Sequence, residues 1–465
     1  MVIDAKAGAD ANANANVDAA EERPEAQLDG AMSRSDAHDA PDAPSPDAAS
    51  GLERPAVDAP CAGCECTGCP QGMACSARKC ICDPALPTGW PDAIAPWLAN
   101  PVIAPTPSSP TEGADNIYAP EIHPHKDALV MWYGAQGSDG HDQIFLAWSR
   151  DGATWRKYPR DDDPQPVLRG GGSNHVNDPS VVRVGGVWRM YYTDAATAER
   201  DRIWLAESSS PIGFRKVGQA LGPGPRGSWE EEKVGRPALL HEGGVYKMWY
   251  DGQVNGLRHV GYATSTDGLT FTRHPGNPVF RNAGAVDVKK IGGVYVMARE
   301  GRDGTYWATS ADGLCWTDRG RMFGLSGRAF DRYGQVTPFL HVDGSSRLRA
   351  VWFGGASVTT WNRNRIAVAF SAGLTPPPGG GCAQCAPAGL SCPSACQRAG
   401  GGTSGSCANP GSGSAGACCS CFPEGCEACT GSARDCQAAC VGAGAAGGWC
   451  QFPGSTAPSA CCTCL

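Results

Sequence analysis

One hairpin pattern recurs five times along this 465-residue chain, and it limits the possible folds more than any other feature. Its clearest copy runs Asn177-Asp178-Pro179-Ser180-Val181-Val182-Arg183-Val184, then Gly185-Gly186, then Val187-Trp188-Arg189-Met190-Tyr191-Tyr192-Thr193-Asp194. Mostly alternating apolar and polar residues on either side of a Gly-Gly pair predict two antiparallel strands joined by a tight turn. Further copies run from Ala119 to Gly134, Gly235 to Gly252, Ala285 to Met297 and, more loosely, Thr337 to Gly354. Met131, Met190, Met248 and Met297 share one register, each eleven residues after Pro120, Pro179, Pro237 or Val286. Copies spaced by about 50–60 residues mean a repeat architecture, and the methionines mark its core rather than a cofactor site.

Two more strands follow each hairpin. The third begins at Ile144, Ile203, Val260, Tyr306 and Ile366, and a turn then leads to a fourth. Ser149-Arg150-Asp151-Gly152, Ser265-Thr266-Asp267-Gly268 and Ser310-Ala311-Asp312-Gly313 suit that turn. Asp accepts backbone N–H bonds there and Gly takes positive φ. Four strands in five units predict an all-β chain whose residues 90–375 form a five-bladed β-propeller of four-stranded blades. The fifth unit stops before a fourth strand. Asn100-Pro101-Val102-Ile103, ahead of the first hairpin, repeats the phrase of Asn277-Pro278-Val279-Phe280 and Gln165-Pro166-Val167-Leu168. The N-terminal segment is therefore expected to complete the last blade and close its open edge.

The ends differ in composition. Residues 1–60 hold 13 acids and 4 bases with almost no large apolar side chain, so they predict a disordered acidic Ala/Asp/Pro tether. This tail accounts for the net charge of −8, and the remainder is close to neutral. With no basic stripe, nucleic acid is not expected as a partner. Seven cysteines between Cys61 and Cys82 predict a Cys-rich knot over 61–89. Sixteen more, in two matching copies, predict small modules at 382–421 and 426–464. Crowding and the lack of nearby histidines favour disulfides over zinc, and no metal site is assigned. The knot's odd number predicts a bridge to Cys315, which a reducing against non-reducing peptide map tests. Twenty-four cysteines suit an exported protein at the cell surface or outside the cell. The given start is polar and no apolar run is long enough to span a membrane, so the expectation is a leader lying upstream.

The phrase Trp229…Pro237…Tyr246-Lys247-Met248-Trp249-Tyr250, the following Gly261-Tyr262-Ala263-Thr264-Ser265-Thr266-Asp267-Gly268, and Asn177-Asp178-Pro179 resemble the five-bladed propellers of the arabinanase/levansucrase/invertase superfamily, glycoside hydrolase families 43, 32 and 68. The resemblance covers about 90–375 and neither Cys-rich end. It implies a funnel at the axis holding an Asp base or nucleophile from the first blade, an orienting Asp from the second and a Glu acid from the third. Glycosidic cleavage needs such carboxylates because the leaving oxygen is protonated while the other face of an oxocarbenium-like centre is attacked.

Asp178 matches the second-blade position. The first blade offers Ala119, with Glu121 two residues on and Asp115 before it. The third offers Gly235-Arg236-Pro237, with Glu230-Glu231-Glu232 upstream. The catalytic candidates are therefore Asp178, Glu121, Glu232 and Asp287, against ordinary roles as a turn cap, strand residues or a solvated loop. Arg236, His175 and Trp229 are candidates for substrate binding, although Arg236 can equally pair with a neighbouring acid and Trp229 can equally be packing. No cofactor is required, and a structural calcium at the axis is compatible with the resemblance. The expected protein is a monomeric, exported glycoside hydrolase-like propeller acting on polysaccharide or oligosaccharide. The alternative is a non-catalytic carbohydrate- or protein-binding propeller displayed on the cell envelope.

Overall fold

A computed structural model describes residues 93–372, except 107–108, 110, 114–115, 127, 138–139, 172–173 and 196–199. It also describes the strand pairs Ala74–Ser76 with Lys79–Ile81, Ser404–Cys407 with Cys419–Phe422, and Gly448–Cys450 with Cys462–Cys464. The acidic tail, Asp115 and the rest of both Cys-rich ends lie outside the described residues. So do the expected disulfides within those ends.

Five antiparallel sheets form, one per repeat. Blade 1 comprises Ile117–His125, Ala128–Gln136, Asp142–Ser149 and Arg156–Lys157; blade 2 comprises His175–Val184, Val187–Ala195, Arg202–Ser208 and Arg215–Leu221. Blade 3 comprises Lys233–Glu242, Val245–Val254, Leu257–Ser265 and Thr272–Arg273, with Phe280–Arg281 also on its third strand. Blade 4 comprises Val286–Ile291, Val294–Arg299, Gly304–Ser310 and Thr317–Gly324. Blade 5 comprises Gln335–Val342, Leu348–Ala356, Asn364–Ser371 and, from the start of the described propeller, Ile94–Pro96.

The ring closes as the repeat phrases predict. Ile94 pairs with Ser371, and further on Val102 donates to the Ile366 carbonyl at 2.8 Å. Asn100 clamps Val368 from both sides, its amide donating to the carbonyl at 2.7 Å and its oxygen accepting the N–H at 2.9 Å. Asn277 holds Tyr262 in the same two-bond clamp, at 3.0 and 2.9 Å. The shared phrase is therefore an asparagine that closes the outer edge of a blade.

Local chemistry explains the hairpins and turns. Gly185 and Gly186 (φ 59° and 84°), Gly243 and Gly244, and Gly292 and Gly293 all take positive φ, as turns matched to strand twist require. In the first Ser-x-Asp-Gly turn Ser149 Oγ accepts the Gly152 N–H at 2.9 Å, and Asp151 Oδ1 accepts those of Ala153 and Thr154 at 2.9 and 2.7 Å. Neighbouring blades are joined by aromatic donors. The Trp132 indole N–H reaches the Pro211 carbonyl, Tyr191 OH that of Gly268, Trp249 that of Gly313 and Trp352 that of Gly152. The four register methionines are fully buried between the sheets.

Cys315 is buried beside the turn of blade 4 and is disulfide-bonded, and its expected partner side chain in the 61–89 knot lies outside the described residues. Among the described residues no helix is long and apolar enough to cross a membrane.

Candidate functional site

Each inner strand holds, near its start, a non-glycine residue in the left-handed region: Ala119 (φ 51°), Asp178 (49°), Arg236 (46°), Ala285 (45°) and Thr337 (45°). Such residues are uncommon, and five in equivalent places mark a property of the ring. Proline follows four of them, so no N–H of the next residue is stranded there.

Contacts from the preceding blade hold the conformation at three of them. The N–H of Ala119 donates to Thr337 Oγ1, that of Arg236 to Thr193 Oγ1 and that of Ala285 to Asp251 Oδ1, each at 2.9 Å. A second set of staples lies deeper. Val181 N–H donates to Glu121 Oε1 at 2.9 Å, Leu239 N–H to Ser180 Oγ at 3.0 Å and Leu340 N–H to Asp287 Oδ2 at 2.7 Å.

These openings form the mouth of one axial cavity, lined by Ala119, Glu121, Asp178, Arg236, Ala285, Asp287, Thr337, Phe339 and the prolines. Glu121, Asp178, Asp287 and Arg236 thus come together from four blades. Their bonding differs. Glu121 Oε1 also lies 2.7 Å from His123 Nε2, and Asp287 Oδ1 is 2.7 Å from Lys289 Nζ. Burial pushes the Asp287 carboxyl above the usual carboxylate range; Lys289 opposes the shift and the Glu121 charge reinforces it. Asp178 accepts from Thr193 Oγ1 at 3.2 Å and lies 3.8 Å from Arg236 Nε.

Arg236 belongs to a chain of alternating charges joining blades 3 and 4. Its Nη1 is 3.2 Å from Asp251 Oδ2, which also receives Arg258 Nε at 3.0 Å, and Arg258 Nη1 meets Glu300 at 2.6 Å. All four side chains are largely buried. Of the two roles open to Arg236, the structure shows pairing with neighbouring acids.

The other three candidates stand apart from the axial cavity. His175 is buried with its Nδ1 3.0 Å from Asp142 Oδ2 and its Nε2 3.4 Å from His141 Nδ1. Trp229 stacks on Tyr250 at 6.1 Å, and a Cβ at Gly252 would lie 2.3 Å from its ring, so packing is what this tryptophan does. Glu232 accepts the Asn255 N–H at 2.8 Å, next to the hairpin at Asn255–Gly256, while Glu230 is buried against Arg273 at 2.7 Å. None of Glu230, Glu231 and Glu232 lines the axial cavity.

Sequence reading overlooked Thr193, Asp251 and Glu300. Each is the third residue after a register methionine, a polar position the alignment of repeats could have exposed. It also overlooked Asn177, which is buried and whose Oδ1 accepts no hydrogen bond from the protein. Asn177 lines a slit between blades 2 and 3 together with Asp178, Asp201, Lys233 and Arg236. A buried acceptor of this kind calls for a donor from outside the chain. Among the described residues no group of three or more His, Cys, Asp or Glu side chains is placed to hold a metal ion.

No family model matches the chain. It is 27% identical over 211 residues to an extracellular exo-α-(1→5)-L-arabinofuranosidase of Streptomyces chartreusis, covering 42% of this chain and 60% of that protein. An uncharacterized protein of Mycobacterium tuberculosis is 27% identical over 175 residues, 36% of this chain and 55% of its own length. The chain therefore spans little more than half the length of these relatives. Among solved structures, a glycoside hydrolase covers 58% of this chain and 90% of its own at 20% identity and a TM-score of 0.48. A family 117 glycoside hydrolase from Zobellia galactanivorans covers 61% and 91% at 15% identity and 0.48. Glycoside hydrolases are thus among the proteins to which this five-bladed β-propeller is similar.

Proposed function

We propose that this propeller binds the end of a saccharide chain at its axial mouth and hydrolyses the terminal glycosidic bond. The observation that carries the reading is the convergence of Glu121, Asp178 and Asp287 on one cavity. Cleavage needs one carboxyl that keeps its proton and one that stays ionised. Burial favours the protonated form of Asp287, and Asp178 lies 3.8 Å from the Arg236 guanidinium and accepts from the Thr193 hydroxyl. The arabinofuranosidase relative supports an arabinofuranoside as the first substrate class to try, and its extracellular location, with the 24 cysteines, supports export.

A second reading is saccharide binding without turnover. It is favoured by Ala119 and Gly235-Arg236 standing where the resemblance puts a base and an acid. Activity of the wild type and Asp178→Asn on aryl α-L-arabinofuranosides and arabinan separates the two. Hydrolysis by the wild type, falling about 100-fold or more in Asp178→Asn, is the expected result. Glycan binding by a wild type that turns nothing over would establish the second reading instead.

A further inference from the structure

The blades meet at five seams, and at the turn end of the ring two of them share one construction. Between blades 2 and 3, Tyr246, whose backbone pairs with Ser265, is buried against the preceding blade. Arg189 lies 5.3 Å over its ring and donates to its hydroxyl at 2.8 Å. Between blades 3 and 4, Tyr295 pairs with Ser310, and Lys247 takes the same place, 5.1 Å over the ring and 2.6 Å from the hydroxyl.

The corresponding residue between blades 5 and 1 is Leu129, which pairs with Ser149. The cation is replaced as well. Lys247 pairs with Thr264, the residue before its turn serine, and Ala350 pairs likewise with Phe370. Turn glycines confirm the match: a Cβ at Gly268 would meet Tyr191 and Tyr246, one at Gly313 would meet Trp249 and Tyr295, and one at Gly152 would meet Trp352 and Leu129.

This seam thus lacks that phenol ring and that cation, and it holds an open cavity of about 270 Å³. Leu129, Trp352 and Phe370 supply its apolar surface, while His341, Arg349 and Arg150 supply its polar edge. We propose that this cavity binds a small aromatic carboxylate, its ring seated where a tyrosine sits in the two seams between blades 2, 3 and 4 and its carboxylate facing Arg349 and Arg150.

The volume is just below that of common small-molecule pockets, which suits a single ring with a short substituent. The Trp352 indole N–H is already bonded to Gly152, so this side chain offers only its faces and edges to a guest. Arg349 reaches Asp343 at 3.5 Å and keeps 40% of its side chain exposed. Burial first, then Lys289 and Arg349 nearby, hold the His341 pKa down to about 4, so a neutral imidazole stands at the cavity edge. The axial mouth lies toward the opposite ends of the same strands, and the two cavities share no lining residue.

Calorimetric titration of the full chain with benzoate and 4-hydroxyphenylacetate tests the proposal, with inorganic phosphate as a charge-only probe. Both aromatic acids are expected to bind and phosphate is not. Leu129→Tyr restores the missing ring and should abolish binding while leaving saccharide activity unchanged. Arg349→Gln should weaken binding on the order of tenfold, as loss of a charge-assisted bond does. No binding of either acid, or equal binding by Leu129→Tyr, overturns the proposal, as does phosphate binding of equal strength. Should Leu129→Tyr fail to fold, unchanged affinity in Arg349→Gln is the overturning result.

Discussion

The two ends of the blades are built on opposite rules. At the turn end the same side chains recur because the hydrogen bonds need them: Ser149 and Asp151, Ser265 and Asp267, and Ser310 and Asp312 accept the same N–H groups in three blades. At the mouth end the backbone recurs while the side chain does not. Ala119, Asp178, Arg236, Ala285 and Thr337 share one left-handed conformation and have little else in common. A position whose geometry is fixed from outside, by acceptors on the preceding blade, lets its own side chain vary with the chemistry of the mouth. Deeper on the axis Glu121 and Asp287 break the contrast, since they line the cavity and also staple the blades.

The largest expected effect falls on those staples. Asp287→Ala leaves the Leu340 N–H and the Lys289 ammonium without their acceptor oxygens in a buried place. It should cost about 3 kcal/mol of stability, measured by chemical denaturation. Asp287→Asn, which keeps an acceptor oxygen, should cost clearly less. Equal stability of Asp287→Ala and wild type would remove the structural half of this residue's role and leave it to the mouth alone.

Ala119→Asp sharpens the comparison from the other side. Asp tolerates the left-handed region better than Ala does, and Asp178 already occupies the equivalent place in blade 2. The substitution should leave stability within about 1 kcal/mol of wild type. It also supplies a carboxylate where the resemblance places a base, so turnover of an aryl arabinofuranoside should rise. Unfolding of this variant would show that the mouth positions do not tolerate variation.

Much of this was legible in the sequence. Gly185-Gly186 and its copies, the Ser-x-Asp-Gly turns and the Asn100 and Asn277 phrases pointed to five four-stranded blades and their closure, because each is a short-range pattern with its own hydrogen bonds. Asp178, Glu121, Asp287 and Arg236 lie at the axial cavity because they stand at or two residues beyond the strand openings. His175, Trp229 and Glu232 lie elsewhere because nearness in sequence to an opening says nothing about which way a loop carries the side chain. The Arg236–Asp251–Arg258–Glu300 chain was missed because its members come from different strands of two blades, and only the folded register brings them into contact.

The smallest effect belongs to the turn end and is read through pH. Asp267 is exposed, and its carboxyl is held down at about 2 by the Thr270 N–H, then the Ser265 hydroxyl, then the Leu269 N–H. A carboxyl whose folded pKa lies below its unfolded value, near 3.8, stabilises the fold above that value. The contribution is lost as pH falls toward the folded pKa, because protonation then removes the acceptor from the folded state. Wild type and Asp267→Asn should therefore differ by a constant amount above the ordinary carboxylate range and converge as pH falls from about 4 to about 2. If Asp267→Asn instead differs from wild type by the same amount throughout that interval, the turn aspartates are not fixed by their charge, and the contrast between a bonded end and a variable end loses its energetic basis.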